Sequence, residues 1–217
     1  MSGRAALLVY GGWEGHEPEA SVRRFVPFLE GEGFTVTLSD SLAILDEPDF
    51  LAAQHLIVLC WTRGTLSESQ EANLLGAVEA GAGFAGWHGG MGDAFRASTA
   101  YQFMCGGQFV AHPGKIVDYR VHITRPDDAV MEGLVDFPVH SEQYYLHVDP
   151  SNDVLATTTF TGAVHSWIEG VVMPVVWKRP WGAGRVFYSA LGHSPREFAQ
   201  PETFTITSRG MLWAARD

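Results

Sequence analysis

Three short, unbroken apolar runs set among helical segments constrain this chain more than any other feature. They are Ala5-Ala6-Leu7-Leu8-Val9-Tyr10, Leu56-Ile57-Val58-Leu59 and Gly83-Phe84-Ala85-Gly86-Trp87. None alternates with polar residues, so each strand must be covered on both faces, as strands of a helix-covered parallel sheet are. The intervening segments supply the covers. Val22, Phe25, Val26 and Leu29 recur at helical spacing, although Pro27 must kink or break that helix. Gly31 and Gly33 stop it, and residues 34–38 alternate as a short strand. The strand over residues 55–60 follows, and then Ser67 and Gln70 form a capping box. The helix they open carries Leu74, Leu75 and Val78 and ends at Gly81. This order predicts a parallel, doubly wound sheet with right-handed crossovers.

Beyond residue 110 the pattern changes. Ile116–Ile123 alternates as a strand and residues 154–159 form another. Residues 171–178 and 185–190 read as a hairpin, joined by Arg179-Pro180-Trp181-Gly182-Ala183-Gly184. A closing helix over residues 201–215 turns Phe204, Ile206 and Met211 through Trp213 inward. No repeat or linker interrupts the chain, and 217 residues suit one core, so residues 1–217 are expected to form one domain.

Fourteen basic against 25 acidic residues give a formal charge of −11, which opposes binding to nucleic acid or an anionic membrane surface. Two cysteines make no disulfide framework, and Cys60 reads as a reduced core thiol. The first apolar run is too short for a secretory core and no stretch approaches a membrane span. A cytoplasmic protein is the expectation.

Candidate chemistry gathers at turns. His16 follows the first strand in Gly11-Gly12-Trp13-Glu14-Gly15-His16, and His88 follows the strand ending at Trp87, with Gly89 and Gly90 behind it. His193 follows a strand in Leu191-Gly192-His193, and His112 precedes one. Ends of parallel strands share one sheet edge, so His16 and His88 can approach each other, joined by His193 if its strand runs the same way. Glu142 lies in a polar patch with Tyr144. It can serve as a general acid or base, or be an ordinary exposed carboxylate. Trp13, Trp87, Tyr144, Trp167 and Trp181 offer flat faces that stack on sugars, and equally make core. His55, His122, His140, His147 and His165 read as structural or surface residues. A nucleophile elbow is suggested at residues 83–90, but no serine or cysteine stands there. The glycines after the first strand lack phosphate-loop and dinucleotide spacing.

With these residues in hand, the chain resembles the ThuA-like family of the class I glutamine-amidotransferase-like group. The resemblance spans essentially the whole chain. It rests on the Gly-Gly-Trp loop with His16, on Gly86-Trp87-His88, and on Gly106-Gly107-Gln108-Phe109 with His112-Pro113. Glu142-Gln143-Tyr144 and the run from Pro174 to His193 complete it. Many relatives read Gly-Ile-His-Ser where this chain has Gly86-Trp87-His88-Gly89. The resemblance implies a flavodoxin-like three-layer α/β sandwich with a mostly parallel central sheet and an antiparallel edge in the C-terminal half. It also implies loss of the amidotransferase cysteine, and a role in carbohydrate catabolism linked to 3-keto-glycosides.

The resulting expectation is an enzyme, a lyase, hydrolase or isomerase, acting on a keto-sugar or 3-keto-glycoside through His88 and Glu142 as acid–base groups. Trp13, Trp87, Tyr144 and Trp181 are the expected substrate contacts. The enolate needs a stabiliser, either hydrogen-bond donors or a divalent metal such as zinc, for which His16, His112 and His193 are the candidate ligands, and these assignments can be exchanged with those of His88 and Glu142. The expected partner is a small carbohydrate, with no nucleic acid and no membrane, and a homo-oligomer is allowed. The competing reading is a non-catalytic carbohydrate-binding or regulatory domain.

Overall fold

A computed structural model describes residues 3–217. The chain begins with β1 (Arg4–Gly12), then α1 (Pro18–Arg23), α2 (Val26–Gly31), β2 (Phe34–Ser39), α3 (Pro48–Ala52), β3 (Leu56–Thr62), α4 (Glu68–Glu79) and β4 (Gly83–Trp87). Next come α5 (His88–Gly92), α6 (Thr99–Cys105), β5 (Gly107–Ala111), β6 (Ile116–Ile123), β7 (Phe137–Glu142) and β8 (Tyr145–Val148). It closes with β9 (Asp153–Thr159), β10 (Val172–Trp181), β11 (Gly184–Ser189) and α7 (Pro201–Ala214).

The main sheet has the order β2-β1-β3-β4-β11-β10-β9-β6-β7. β2, β1, β3, β4 and β11 run parallel, which is the flavodoxin-like arrangement. The remaining pairs, β11 to β10, β10 to β9, β9 to β6 and β6 to β7, are antiparallel. Strands β5 and β8 form a separate small antiparallel sheet. The unbroken apolar runs occupy the middle of this architecture. Every residue of β4 is buried, as are residues Leu56 to Cys60 of β3.

Local chemistry accounts for the boundaries. The capping box at Ser67 and Gln70 is present with both reciprocal hydrogen bonds. Pro27 breaks its helix rather than kinking it: α1 stops at Arg23, and Pro27 sits in the first turn of α2, where its missing N–H costs nothing. The β10–β11 hairpin is longer than its Pro- and Gly-rich sequence suggests. Arg179, Pro180 and Trp181 are paired strand residues, leaving Gly182 and Ala183 as the turn, with Gly182 at φ 58°.

Strand β6 touches β9 through only two register pairs, His122 with Thr157 and Ile123 with Ala156. The rest of the β6–β7 hairpin is therefore free to leave the sheet. It swings its far end over the carboxyl edge of the parallel strands, as the contacts of Ser141 and Glu142 described below require. Among the described residues no helix is long and apolar enough to cross a membrane.

Candidate active site

Three parallel-strand ends deliver three imidazoles. After β1 the chain curls through a 3-10 turn, Glu14–His16, that buries His16. Gly12 pairs with Thr62 at the end of β3, and the Thr62 hydroxyl lies 2.7 Å from His16 Nδ1. Gly12 adopts φ 80°, and a Cβ there would come within 2.1 Å of the Thr62 carbonyl oxygen, so a side chain is excluded.

His88 occupies the elbow between β4 and α5 at φ 46°, a left-handed conformation costly for any residue but glycine. Its surroundings hold it there. Trp87 pairs with Ser189, so Ala190 lies alongside, and His88 Nδ1–H donates to the Ala190 carbonyl at 2.9 Å. The Tyr188 hydroxyl donates to the His88 carbonyl at 3.1 Å, and the Tyr144 ring stacks on the imidazole at 4.0 Å. A carbonyl only accepts, so Nδ1 carries a proton, and Nε2 is the nitrogen turned to the site.

That nitrogen meets Glu142, the last residue of β7, at the open end of the β6–β7 pair, with Nε2 to Oε2 at 3.1 Å. His193, in the loop after β11, brings Nδ1 within 3.2 Å of His88 Nε2 and 3.4 Å of Glu142 Oε2. One donor atom from each of His16, His88, Glu142 and His193 lies within 4.8 Å of the others. Groups of acceptor character at such distances need a proton or a cation between them.

Glu197 anchors this convergence. Its Oε2 accepts from the backbone N–H groups of Gly192 and His193 at 3.2 and 3.0 Å, while Oε1 accepts from the Ser141 hydroxyl at 2.6 Å. One carboxylate thus ties the His193 loop to the strand carrying Glu142.

The electrostatics follow from burial and crowding. Burial first, then the neighbouring His88 and His193, push His16 down to about 3, so it is a neutral imidazole at physiological pH. Burial pushes the Glu142 carboxyl up, but hydrogen bonds from His193 and His88 outweigh it and hold the group well below the usual carboxylate range. The hydrogen bond to Glu142 raises His193 against its own burial.

These shifts set a pH profile for the metal-free protein. His16 titrates below its ordinary 6.5, so the unfolded chain takes the proton first and stability falls as pH drops from 6.5 towards 3. The slope is at most about 1.4 kcal/mol per pH unit for one such group. The Glu142 contribution, present above 4.5, is lost in the same direction. His193 acts oppositely: its contribution is complete below 6.5 and is lost as pH rises through its raised folded value. Urea unfolding after chelation, at a series of pH values, is expected to show maximal stability near 6.5. A curve rising steadily through that region towards alkaline pH would contradict the assignment.

The geometry regroups the residues singled out from sequence. His16 and His193 converge as expected, but His112 stands outside the four-membered cluster, with Nε2 3.7 Å from Glu142 Oε1 and a 36% exposed side chain. Its Nδ1 is buried without a partner. His88 and Glu142, expected as acid–base groups, hold the cluster positions instead. Trp13 is 42% exposed and stands edge-on to His16 at 4.6 Å, with the Arg63 guanidinium over its ring at 5.6 Å. Tyr144 is buried, its ring stacked on His88 and tilted against Phe109.

Two expected substrate contacts fall away. Trp87 is fully buried against Phe25 and Phe198, because β4 is covered on both faces. Trp181 pairs with Gly184 at the start of β11, the opposite end of the strand from Ser189, and packs on Phe103. Thr62 and Glu197 carry no local motif, and the sequence reading missed both. Of the five histidines read as structural or surface, His122 pairs with Asp136, His140 with Asp118, and His55 receives the Ala5 N–H.

Fold and site together define a flavodoxin-like α/β protein with three histidines and a carboxylate converging at the carboxyl edge of its parallel strands. The chain belongs to the ThuA family, described as trehalose utilisation, whose model matches residues 5–214. A ThuA-like protein of Bacteroides uniformis is similar in structure, with a TM-score of 0.79 and 18% identity over 96% of this chain and 89% of that one. A ThuA-like protein of Parabacteroides merdae gives 0.72 and 18% over 97% and 89%. A β-galactosidase of Bacillus circulans matches 96% of this chain with only 30% of its own, at a TM-score of 0.58 and 13% identity. At these identities the likeness is one of fold. A search of curated protein sequences finds no match.

Proposed function

We propose that this protein is an enzyme of carbohydrate catabolism that removes the proton beside the keto group of a 3-keto-glycoside, with a divalent metal held by His16, His88, His193 and Glu142. The observation that carries the reading is the spacing of the donor atoms. Separations of 3.1, 3.2 and 3.4 Å among His88, His193 and Glu142 match the roughly 3.3 Å between ligands of a tetrahedral ion with bonds of about 2.0–2.1 Å. A neutral His16 and an ionised Glu142 are the protonation states a metal requires. The Nδ1–H of His88 donating to the Ala190 carbonyl is the outer hydrogen bond that fixes a ligand imidazole's orientation. Imidazole and carboxylate donors suit zinc or another first-row ion.

Such an ion, when bound, supplies Lewis-acid polarisation of the keto oxygen and stabilises the enolate charge. The proton work falls to this chain. A carboxylate held as strongly ionised as Glu142 is a poor base, since bases work best with values near the working pH. His112 suits the role by position: its side chain is 36% exposed beside Glu142, with Nε2 3.7 Å from Oε1, outside hydrogen-bond distance. It takes the proton from C2, and the C2–H electron pair forms the C2–C3 enolate. Return of that charge expels the substituent at C1, whose bond electrons leave with the aglycone oxygen. Protonated His112 then gives its proton to that oxygen, so the products are an unsaturated keto-sugar and a free alcohol. Trp13, exposed beside His16, is the face for the sugar ring.

The test is elemental analysis of the purified protein, together with exchange of the C2 hydrogen of a 3-keto-glucoside in deuterated water. One ion per chain is expected, with exchange abolished by chelation and restored by added metal. His112→Ala is expected to keep the ion and lose exchange. A chain that takes up no ion, or exchange indifferent to chelation, would end the metal reading. Undiminished exchange in His112→Ala would remove His112 as the base.

A further inference from the structure

Tyr144 has a hydroxyl that no step above uses. The residue is only 4% exposed, with its ring stacked on His88 at 4.0 Å and tilted against Phe109 at 4.5 Å. Both interactions occupy the ring and leave the O–H aside. A tyrosine buried this deeply ordinarily gives its proton to a protein acceptor. Tyr144 does not: among the described residues no hydrogen bond engages its oxygen, and that oxygen is not sealed from solvent. The small part of Tyr144 that solvent reaches therefore includes its one polar side-chain atom.

The oxygen reaches past His88 to the elbow. A Cβ at Gly89 would lie 3.0 Å from it and 2.5 Å from His16 Cε1. The missing side chain thus leaves a gap with the Tyr144 hydroxyl on one side and the edge of the His16 ring on the other. His16 Nδ1 is taken up by Thr62, so the nitrogen it offers to the cluster is Nε2, which Cε1 adjoins. The hydroxyl therefore stands at the border of the four-membered cluster.

The other hydroxyls around the cluster are committed. That of Thr62 engages His16 Nδ1, and Tyr188 donates to the His88 carbonyl. Ser141 donates to Glu197, and Tyr119 towards the Glu142 carbonyl at 3.4 Å. The Nδ1–H of His88 goes to Ala190, and the backbone N–H groups of Gly192 and His193 go to Glu197. Burial first, and then the nearby Tyr188, Glu142, Asp93 and Glu197, raise Tyr144 well above its ordinary 10. It keeps its proton at working pH, so it is a donor and neither a base nor a nucleophile. A fixed donor of this kind acts most on an oxygen where negative charge grows during reaction, because the bond strengthens as the charge develops.

Resting on the enolate chemistry proposed above, we infer that the Tyr144 hydroxyl is a catalytic hydrogen-bond donor to the keto oxygen of the substrate, holding the charge that develops there. No proton changes hands at this residue. The phenol keeps its hydrogen throughout, while the C2–H electron pair passes to the enolate and from there expels the C1 substituent. The stacking on His88 and the contact with Phe109 hold the ring in place, so the donor is fixed before substrate arrives. Tyr144 was expected from sequence to offer the flat of its ring to a sugar. That face is occupied, and the hydroxyl is what remains for a ligand.

Tyr144→Phe, which keeps the ring and removes only the hydroxyl, tests the assignment. C2 hydrogen exchange is expected to fall about 100-fold in kcat with little change in KM, as for loss of one oxyanion donor. Cobalt affinity and the urea midpoint are expected to stay as in the wild type, because the hydroxyl bonds nothing in the protein. A second readout needs no turnover: the infrared carbonyl band of a 3-keto-glucoside carrying ¹³C at C3. Bound to the wild type, the band is expected at lower frequency than bound to Tyr144→Phe, both with metal and after chelation. Undiminished exchange in Tyr144→Phe, or a band the substitution does not move, would overturn the inference. So would a lowered urea midpoint or tenfold weaker cobalt binding, which would make the hydroxyl a structural group or a ligand. A wild type that shows the lowered band but exchanges no hydrogen would end the enolate reading and uphold the hydrogen bond. Metal-dependent exchange indifferent to Tyr144 would do the reverse, and a wild type that binds no keto-glucoside would overturn both.

Discussion

Replacing His88 by alanine is expected to lower the affinity for Co²⁺ by more than about 100-fold and to abolish C2 hydrogen exchange. Loss of an outer-sphere partner typically costs 10–100-fold in metal affinity, and a direct ligand costs more. His88 is also where the fold bears strain on behalf of the site. At φ 46° an alanine keeps the backbone penalty and loses the imidazole's bond to Ala190 and its stacking on Tyr144. Glycine loses the same contacts but releases the penalty, about 1–2 kcal/mol for the left-handed region. His88→Gly is therefore expected to bind metal as poorly as His88→Ala while unfolding at a higher urea concentration. Cobalt titration and urea melts of both variants check this pair of outcomes. An alanine variant as stable as the glycine variant would mean the elbow is not strained, and near-normal cobalt affinity in either would take His88 out of the cluster.

The contrast between His88 and Glu142 shows which parts of the site a single sequence can reveal. Positions after β1, β4 and β11 are readable because each follows an apolar run whose direction is set by parallel winding. His16, His88 and His193 meet for that reason, and β11 does run parallel to β4. Glu142 arrives by another route. Its approach depends on a hairpin bound to β9 by two register pairs and otherwise released, and no local pattern announces where such a hairpin will bend. His112 shares that dependence, which is why the sequence placed it among the ligands. Glu197 is invisible for a different reason: it sits in a short 3-10 segment, and its value lies entirely in partners remote in sequence.

The aromatic residues mislead in an instructive way. Trp87 belongs to a strand with five consecutive buried positions, so the same unbroken run that identifies β4 also commits Trp87 to the core. The Trp181 segment looks like a long turn because proline and glycine cluster there. Pairing continues through Pro180 because a proline needs only to forgo a donor, and the two-residue turn that follows sends Trp181 to the far end of the sheet.

The two glycines after His88 are expected to separate function from stability. In α5 an alanine is intrinsically favoured over glycine by up to about 1 kcal/mol, so neither position needs glycine for helix formation. At Gly89 a Cβ would lie 2.5 Å from His16 Cε1 and 3.0 Å from the Tyr144 hydroxyl. These are side-chain atoms, and they can yield. His16, however, is held by Thr62 on one side and crowded by Trp13 and His193 on others, so yielding means leaving the cluster. Gly89→Ala is expected to weaken cobalt binding by about 10–100-fold, as for a disturbed ligand, with little change in urea midpoint. At Gly90 the Cβ would meet the Cα of Cys60 at 2.8 Å, backbone of the central strand β3, which cannot move alone. Gly90→Ala is expected to cost about 1–3 kcal/mol of stability, as overpacking does. Its folded fraction should bind cobalt more tightly than Gly89→Ala does. Wild-type cobalt affinity in Gly89→Ala would show that His16 is dispensable to the cluster. Equal losses of stability in the two variants would show that the elbow shifts as one rigid piece, its glycines serving packing alone.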